Sequence, residues 1–298
     1  MPAVRFNLPA LALLFNALVW GASWWPFRQL QGMGLHPLWA TVLIYSIAVT
    51  LIVALRPKAC REVLRTPSLW VLLLAAGATN ATFNWGVVIG DVVRVVLLFY
   101  LMPLWSVLLA RALLHEAITK AAAVRVLLAL VGAAVVLWPD QAVGWQGLPF
   151  PRSLPDWLGV LGGFTFALNN VMLRREAHRS EEARALAMFG GGMLVAGVLA
   201  WLLASQGQVP WPPAVAPSWI LLVGLMSALF LIGNLALQYG ASRLSANVTA
   251  VVLVSEVVVA AGTAVAFGAG TLNAQLLLGG CLIVLASLLA AAQSHPGH

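Results

Sequence analysis

Apolar runs of about twenty residues follow one another along almost the whole of this 298-residue chain. A helix needs a run of that length to cross roughly 30 Å of hydrocarbon at 1.5 Å per residue. Only 8% of the residues are charged and the mean hydropathy is +0.95, whereas ordinary soluble domains carry about 25% charged residues. The chain reads as an all-α integral membrane protein with little length left for a soluble domain.

Glycine, proline and charged punctuation divides the apolar sequence into ten expected spans. They lie near residues 8–30, 37–55, 68–89, 92–112 and 118–138, then 156–176, 182–205, 218–240, 243–268 and 272–293. The first run continues to about Gln29 with no convincing small-residue cleavage site, so it is retained as a span rather than read as a signal peptide. Thirteen of the sixteen Lys and Arg residues lie at the N-terminus or near the even-numbered loops, and Arg28, Arg94 and Arg152 fall on the other side. By the positive-inside rule both termini face the cytoplasm, and the loops at 139–155 and 206–217 face outward. The net charge of +7 is confined to short loops, which suits topology and not nucleic-acid binding. Cys60 and Cys281 stand alone without metal-ligand or disulfide spacing, so no metal and no cofactor are expected.

Five spans per half is an odd number, so the second half starts from the opposite side of the membrane. The expected architecture is therefore two inverted five-helix repeats: residues 1–140, an outer connecting loop at 141–155, and residues 156–298. Faint self-similarity supports the division. The segment "NATFNWG" at 80–86 recurs as "NLALQYG" 154 residues later, and "WGASWWPFR" at 20–28 lies over "FALNNVMLR" 146 residues on. Inverted repeats are the architecture of carriers that alternate access around a site near the midplane.

Polar groups inside the spans are the candidate ligand contacts. Asn80 and Asn84, and Asn234 and Gln238, each share a helix face at i and i+4. Each pair reads either as interhelical glue or as lining of a shared cavity. Trp85 adjoins the first pair. Asn16, Trp20 and Trp24 repeat the spacing in the first span with Ser23 on the flank, and Phe166 and Asn170 stand in the counterpart span. With Tyr100 these aromatics form either an interfacial belt or a wall suited to a flat apolar ligand with a polar head. Pro26 and Pro103 read as static kinks or as hinges. Glu256 is the one acidic side chain placed deep in a span, a functional candidate by position; it could attract an amino group, take up a proton or make a structural hydrogen bond. Asp91, Arg94, Arg111, His115 and Glu116 read first as boundary charges. Hydrolase, metalloprotease and phosphate-loop signatures are missing.

These residues resemble the EamA-like members of the drug/metabolite transporter superfamily. The likeness rests on Trp20-Gly21 in the first span, Pro103 with Glu116 thirteen residues later, Gly132, and Glu256 in the ninth span. The second half departs from the family pattern, with Val257 after Glu256 where relatives carry proline, and Gly270 where they carry glutamate. The tryptophan-rich first span, the length and the outer loops look most like the YddG-type exporters of aromatic amino acids. That resemblance implies a bacterial inner-membrane exporter of amino acids, with the bilayer and a small-molecule substrate as partners and no obligate protein partner. The alternatives are a carrier of other metabolites or cationic drugs, and, in a different class, a membrane enzyme or a non-transporting scaffold.

Overall fold

The computed structural model describes residues 8–115, 118–138, 150–241, 252–253 and 255–292. Among them all regular structure is helical: α1 (Leu8–Ala22), α2 (Trp24–Gly32), α3 (Pro37–Leu55), α4 (Pro57–Arg65), α5 (Pro67–Ile89), α6 (Val92–Phe99) and α7 (Met102–Leu113). Then come α8 (Lys120–Leu137), α9 (Leu154–Arg175), α10 (Glu181–Ser205), α11 (Pro217–Ala241), α12 (Ser255–Ala266) and α13 (Ala274–Ala292). Seven stretches among the described residues are long and apolar enough to cross a membrane, and Ser255–Ala266 and Ala274–Ala286 are shorter apolar helices. α9, the sixth expected span, is 22 residues long. Glu116, the outer loop at 139–149 and the first part of the ninth expected span lie outside the described residues.

Local chemistry sets where the helices begin. Pro37, Pro57, Pro67 and Pro217 open α3, α4, α5 and α11, at positions whose backbone N–H would have no intrahelical partner anyway. Side chains take up other free N–H groups: Asp91 accepts from Arg94, Thr119 from Ala122, Ser153 from Asp156 and Ser180 from Ala183. The short helix α4 was not expected from the sequence. It forms because Pro57 starts a turn whose Ala59 and Val63, four residues apart, bury against Leu69, Leu72 and Leu186.

Two expected spans are each broken into a pair of helices. α1 gives way to α2 at Ser23, and α6 to α7 at Tyr100 and Leu101. Pro26 and Pro103 follow the breaks. Proline has no N–H, so the carbonyls four residues earlier, Ala22 and Phe99, lose their helical donors. Ser23 adapts by donating its hydroxyl to the Trp20 carbonyl at 2.7 Å.

Packing elsewhere depends on small residues. α5 lies between α9 and α10, α1 packs on α11 and α12, α6 and α7 pack on α9, α3 packs on α10, and α8 packs on α13. α5 and α10 cross where Gly77 faces the Gly191 carbonyl and Gly191 faces the Leu73 carbonyl. α8 and α13 cross where a Cβ on Gly132 would lie 2.8 Å from the Gly279 carbonyl oxygen, and one on Gly279 would lie 2.7 Å from that of Gly132. Such contacts let backbones approach in a solvent that gives no hydrophobic drive between helices. Leu127, Val198, Leu221, Leu225 and Leu278 are exposed on the outside of the bundle, and Trp70, Trp138, Trp157, Trp201 and Trp211 are exposed near helix ends, as lipid-facing and interfacial surfaces require.

The α5–α10 crossing gives a paired test. Gly191→Ala forces a methyl into the Leu73 carbonyl and should lower stability by about 1–3 kcal/mol. Gly190→Ala, where an added Cβ meets nothing within 4 Å, should be neutral or slightly stabilising. Thermal unfolding of the two purified variants in detergent measures the difference.

Candidate functional site

The two proline-linked breaks converge on α12. On one side, Gly21 stands at the end of α1, and a Cβ there would lie 2.8 Å from the Glu256 backbone carbonyl oxygen. On the other, Tyr100 at the α6–α7 break lies close enough to Glu256 for the hydroxyl and the carboxyl to interact. Trp24, just past the first break, donates its indole N–H to the Thr263 hydroxyl at 3.0 Å. Glu256, on the first turn of α12, is thus held by groups from two irregular segments whose backbones are not fully committed to helical bonds.

Aromatic rings flank this junction. Trp20 stacks on Phe230 of α11 with centroids 4.5 Å apart and planes 10° apart. Phe230 continues to Tyr45 of α3 at 6.1 Å, and Tyr45 to Phe189 of α10 at 5.6 Å. The Tyr45 hydroxyl donates to Asn80 Oδ1 at 2.6 Å. On the Tyr100 side, Phe99 contacts Phe83, Tyr100 and Phe166 at 4.8, 6.0 and 5.2 Å. The site therefore brings together Trp20, Trp24, Tyr100, Phe166 and Glu256, with Asn80 joined through Tyr45 and Ser23 shaping the first break. Pro26 is half-buried behind that break.

Other candidate residues have different surroundings. Asn16 is buried and its Nδ2 donates to the Gly233 carbonyl at 2.9 Å, a bond between α1 and α11. Asn84 is buried one turn beyond Asn80, and its Nδ2 donates to Thr41 on α3 at 3.0 Å, while its Oδ1 has no partner among the described residues. The two amides of α5 thus form successive rungs to Thr41 and Tyr45, themselves four residues apart on α3. Trp85 packs edge-on to His36 at 5.5 Å, Asn234 is half-buried, and Asn170 is exposed beside its buried neighbour Asn169. The side chains of Gln238 and Pro103 lie outside the described residues.

Tyr45, Phe83, Phe99, Phe189, Phe230 and Thr263 were missed from the sequence. Tyr45 carried a usable signal, a lone phenol in the middle of "VLIYSIAV", because a buried hydroxyl needs a partner. The phenylalanines carried none, since Phe suits lipid and protein interior equally.

Away from the aromatics, Asp91, Arg94, Val136, Trp138, Thr271, Asn273, Gln275 and Leu276 line a cavity of about 150 Å³. Arg94, read from sequence as a boundary charge, makes a two-pronged pair with Asp156 at 2.7 and 3.2 Å and donates to the Val136 carbonyl. Asp91 caps α6 and accepts from Thr271.

These features define a multi-pass helical membrane protein. Residues 7–138 match the model of the EamA-like transporter family. Among solved structures, a crystal structure of a protein with 18% sequence identity aligns over 97% of this chain and 99% of its own, with a TM-score of 0.59. That likeness carries the fold alone. No curated protein sequence matches the chain.

His36, which caps α3 beside Trp85, provides a pH test. Its Nδ1 accepts from the Leu38 N–H at 3.3 Å, and burial pushes the imidazole from its ordinary value near 6.5 down to about 4. The folded state therefore favours the neutral ring. This contribution is complete above about pH 6.5 and is lost as pH falls towards 4. Thermal unfolding from pH 7 to pH 4 should show a steeper loss of stability in the wild type than in His36→Asn.

Proposed function

We propose that the protein is a secondary transporter that exports amino acids, aromatic and other neutral ones favoured, by alternating access through a central site. The observation that carries this reading is the approach of two proline-broken spans to Glu256, through Gly21 and Tyr100, with the Trp20–Phe230 stack next to the first break and the Phe83–Phe99–Phe166 cluster next to the second. Broken helices around a polar group at membrane depth are how carriers build solute sites. A carboxyl on a helix approached by two aromatic-bearing segments suits a ligand with a planar apolar body and an amino group.

The helix pairing supports two inverted repeats. The first span can be exchanged with α9, α3 with α10, α5 with α11, α6–α7 with α12, and α8 with α13. Under that exchange α1–α11 becomes α9–α5, α1–α12 becomes α9–α6 and α9–α7, and α3–α11 becomes α10–α5, while α3–α10, α8–α13 and α6–α12 map onto themselves. All of these pairs are in contact. The 13 of 16 basic residues on one side of the expected topology support cytoplasmic termini, and the resemblance is the support for a bacterial inner membrane.

Proteoliposomes test the reading directly. Purified protein should move labelled phenylalanine and tryptophan, and Glu256→Gln and Tyr100→Phe should each slow transport about tenfold or more, as expected for losing a polar contact to a charged solute. Asn16→Ala should instead lower stability by about 0.6–2 kcal/mol with KM near wild type. Asn84→Ala should raise KM if its unpaired Oδ1 meets substrate, and should behave like Asn16→Ala if it only ties α5 to α3. Movement of organic cations with none of any amino acid would favour the drug-carrier alternative.

A further inference from the structure

The short helix α4 is fixed to the bundle on one face and leaves a second face with no intramolecular purpose. Its Ala59 and Val63 are buried, and Glu62 accepts from the Ser180 hydroxyl at 2.6 Å and from the Ser180 N–H at 3.3 Å. The Ser180 hydroxyl bond holds the Glu62 carboxyl below the ordinary carboxylate range, so Glu62 is ionised where it meets the start of α10. Lys58, Arg61 and Arg65 stand at i, i+3 and i+7 and form one exposed stripe.

The nearby acids are engaged elsewhere. Glu62 is held by Ser180, Glu182 pairs with Arg56 at 3.4 Å, and Glu176 pairs with Arg175 at 3.9 Å and Arg179 at 3.5 Å. Of the acids on the described segments packed against α4, Glu181 remains, exposed on the first turn of α10. Lys58, Arg61 and Arg65 make no ion pair with any of these acids. Leu64 is 67% exposed and Leu55, just before α4, is 63% exposed. Glu62 and Leu64 project about 200° apart on the helix, so charge-capping and apolar exposure lie on opposite sides, with the basic stripe between them. This is the order of faces on a helix lying along a bilayer surface, with protein on one side, acyl chains beneath and headgroups beside.

We infer that α4 is a binding site for anionic phospholipid, in which Lys58, Arg61 and Arg65 hold the phosphate-bearing headgroup and Leu55 and Leu64 enter the acyl boundary. The inference rests on the membrane-embedded fold and on the side assigned to this loop, not on any substrate. Zwitterionic lipid offers the same apolar contact without the net charge, so binding discriminates by headgroup.

The test is to titrate delipidated protein in neutral detergent with phosphatidylglycerol or phosphatidylcholine and to read bound lipid by native mass spectrometry. Wild type should retain phosphatidylglycerol preferentially. Each charge neutralised should weaken that binding about fivefold, and Lys58→Gln with Arg61→Gln and Arg65→Gln together on the order of a hundredfold. The charge-keeping set Lys58→Arg, Arg61→Lys and Arg65→Lys should bind like wild type. Equal retention of the two lipids by wild type, or undiminished phosphatidylglycerol binding in the triple Gln variant, overturns the inference. If the triple variant does not fold, single Arg61→Gln and Arg65→Gln proteins decide the matter by the same fivefold criterion. Lipid selectivity without amino-acid transport would sink the transport reading alone, and transport without lipid selectivity would sink this one alone.

Discussion

Inside a bilayer a backbone carbonyl cannot turn to water for a hydrogen bond, and this chain places two prolines where they leave carbonyls without helical donors. Pro26 and Pro103 interrupt spans one and four, and both interruptions lie in the protein interior rather than against lipid. At the second, Gly163 of α9 comes so close to the Phe99 carbonyl that no side chain would fit between them, and Gly159 makes a similar approach to the Val95 carbonyl. At the first, Gly21 presses on the backbone of Glu256 and Trp24 ties the following helix to Thr263. The glycines on α1 and α9 thus let neighbouring backbone come close enough to shield these segments, and that shielding places Tyr100 against Glu256.

What could be read from the sequence divides along the same line. Seven of the expected spans were legible because a bilayer demands a run of fixed length, and the prolines that open α3, α5 and α11 act locally. The breaks were half-legible: Pro26 and Pro103 flagged them, but the partners of the freed segments, Gly21 with Glu256 and Gly163 with Phe99, are more than sixty residues apart in sequence. The amide pair was legible as a pair but not as to its role. Spacing put Asn80 and Asn84 on one face, yet Thr41 and Tyr45 on α3 decide what they bond. α4 was hidden because nine residues with Lys58, Arg61 and Arg65 read as a charged loop until Ala59 and Val63 find the apolar surface that makes the helix worth forming.

Hydrogen bonds at membrane depth are also unequal in what they fix. The Asn16 bond to Gly233 and the Ser227 bond to Ile44 join side chains to main-chain carbonyls of neighbouring helices, so they hold helices in register. The Tyr45–Asn80 and Trp24–Thr263 bonds join one side chain to another. They can be exchanged for bonds to a solute without unwinding any helix. In the proposed transport cycle, interactions of this second kind are the ones that can be given up to substrate and recovered on release, which favours side-chain pairs among aromatic rings over amides bonded to backbone as solute contacts.

The charges divide in a parallel way between the two ends of the bundle. On the side assigned to the exterior, Arg28 donates to the Val87 and Gly90 carbonyls at the end of α5 and lies 5.3 Å from the Trp24 ring. Arg94 joins the start of α6 to Asp156 on α9 and to the end of α8. These arginines satisfy carbonyls at helix ends, Arg28 joining α2 to α5 and Arg94 joining α6 to α8 and α9. On the opposite side, Lys58, Arg61 and Arg65 have no partner among the described residues and face outward. Arg28 and Arg94 are thus committed to helix ends and an acid, whereas the α4 stripe is not, although Arg56, Arg175 and Arg179 near it are paired with Glu182 and Glu176. Any motion that opens that side must break the Arg94–Asp156 pair or carry α6, α8 and α9 together as one body.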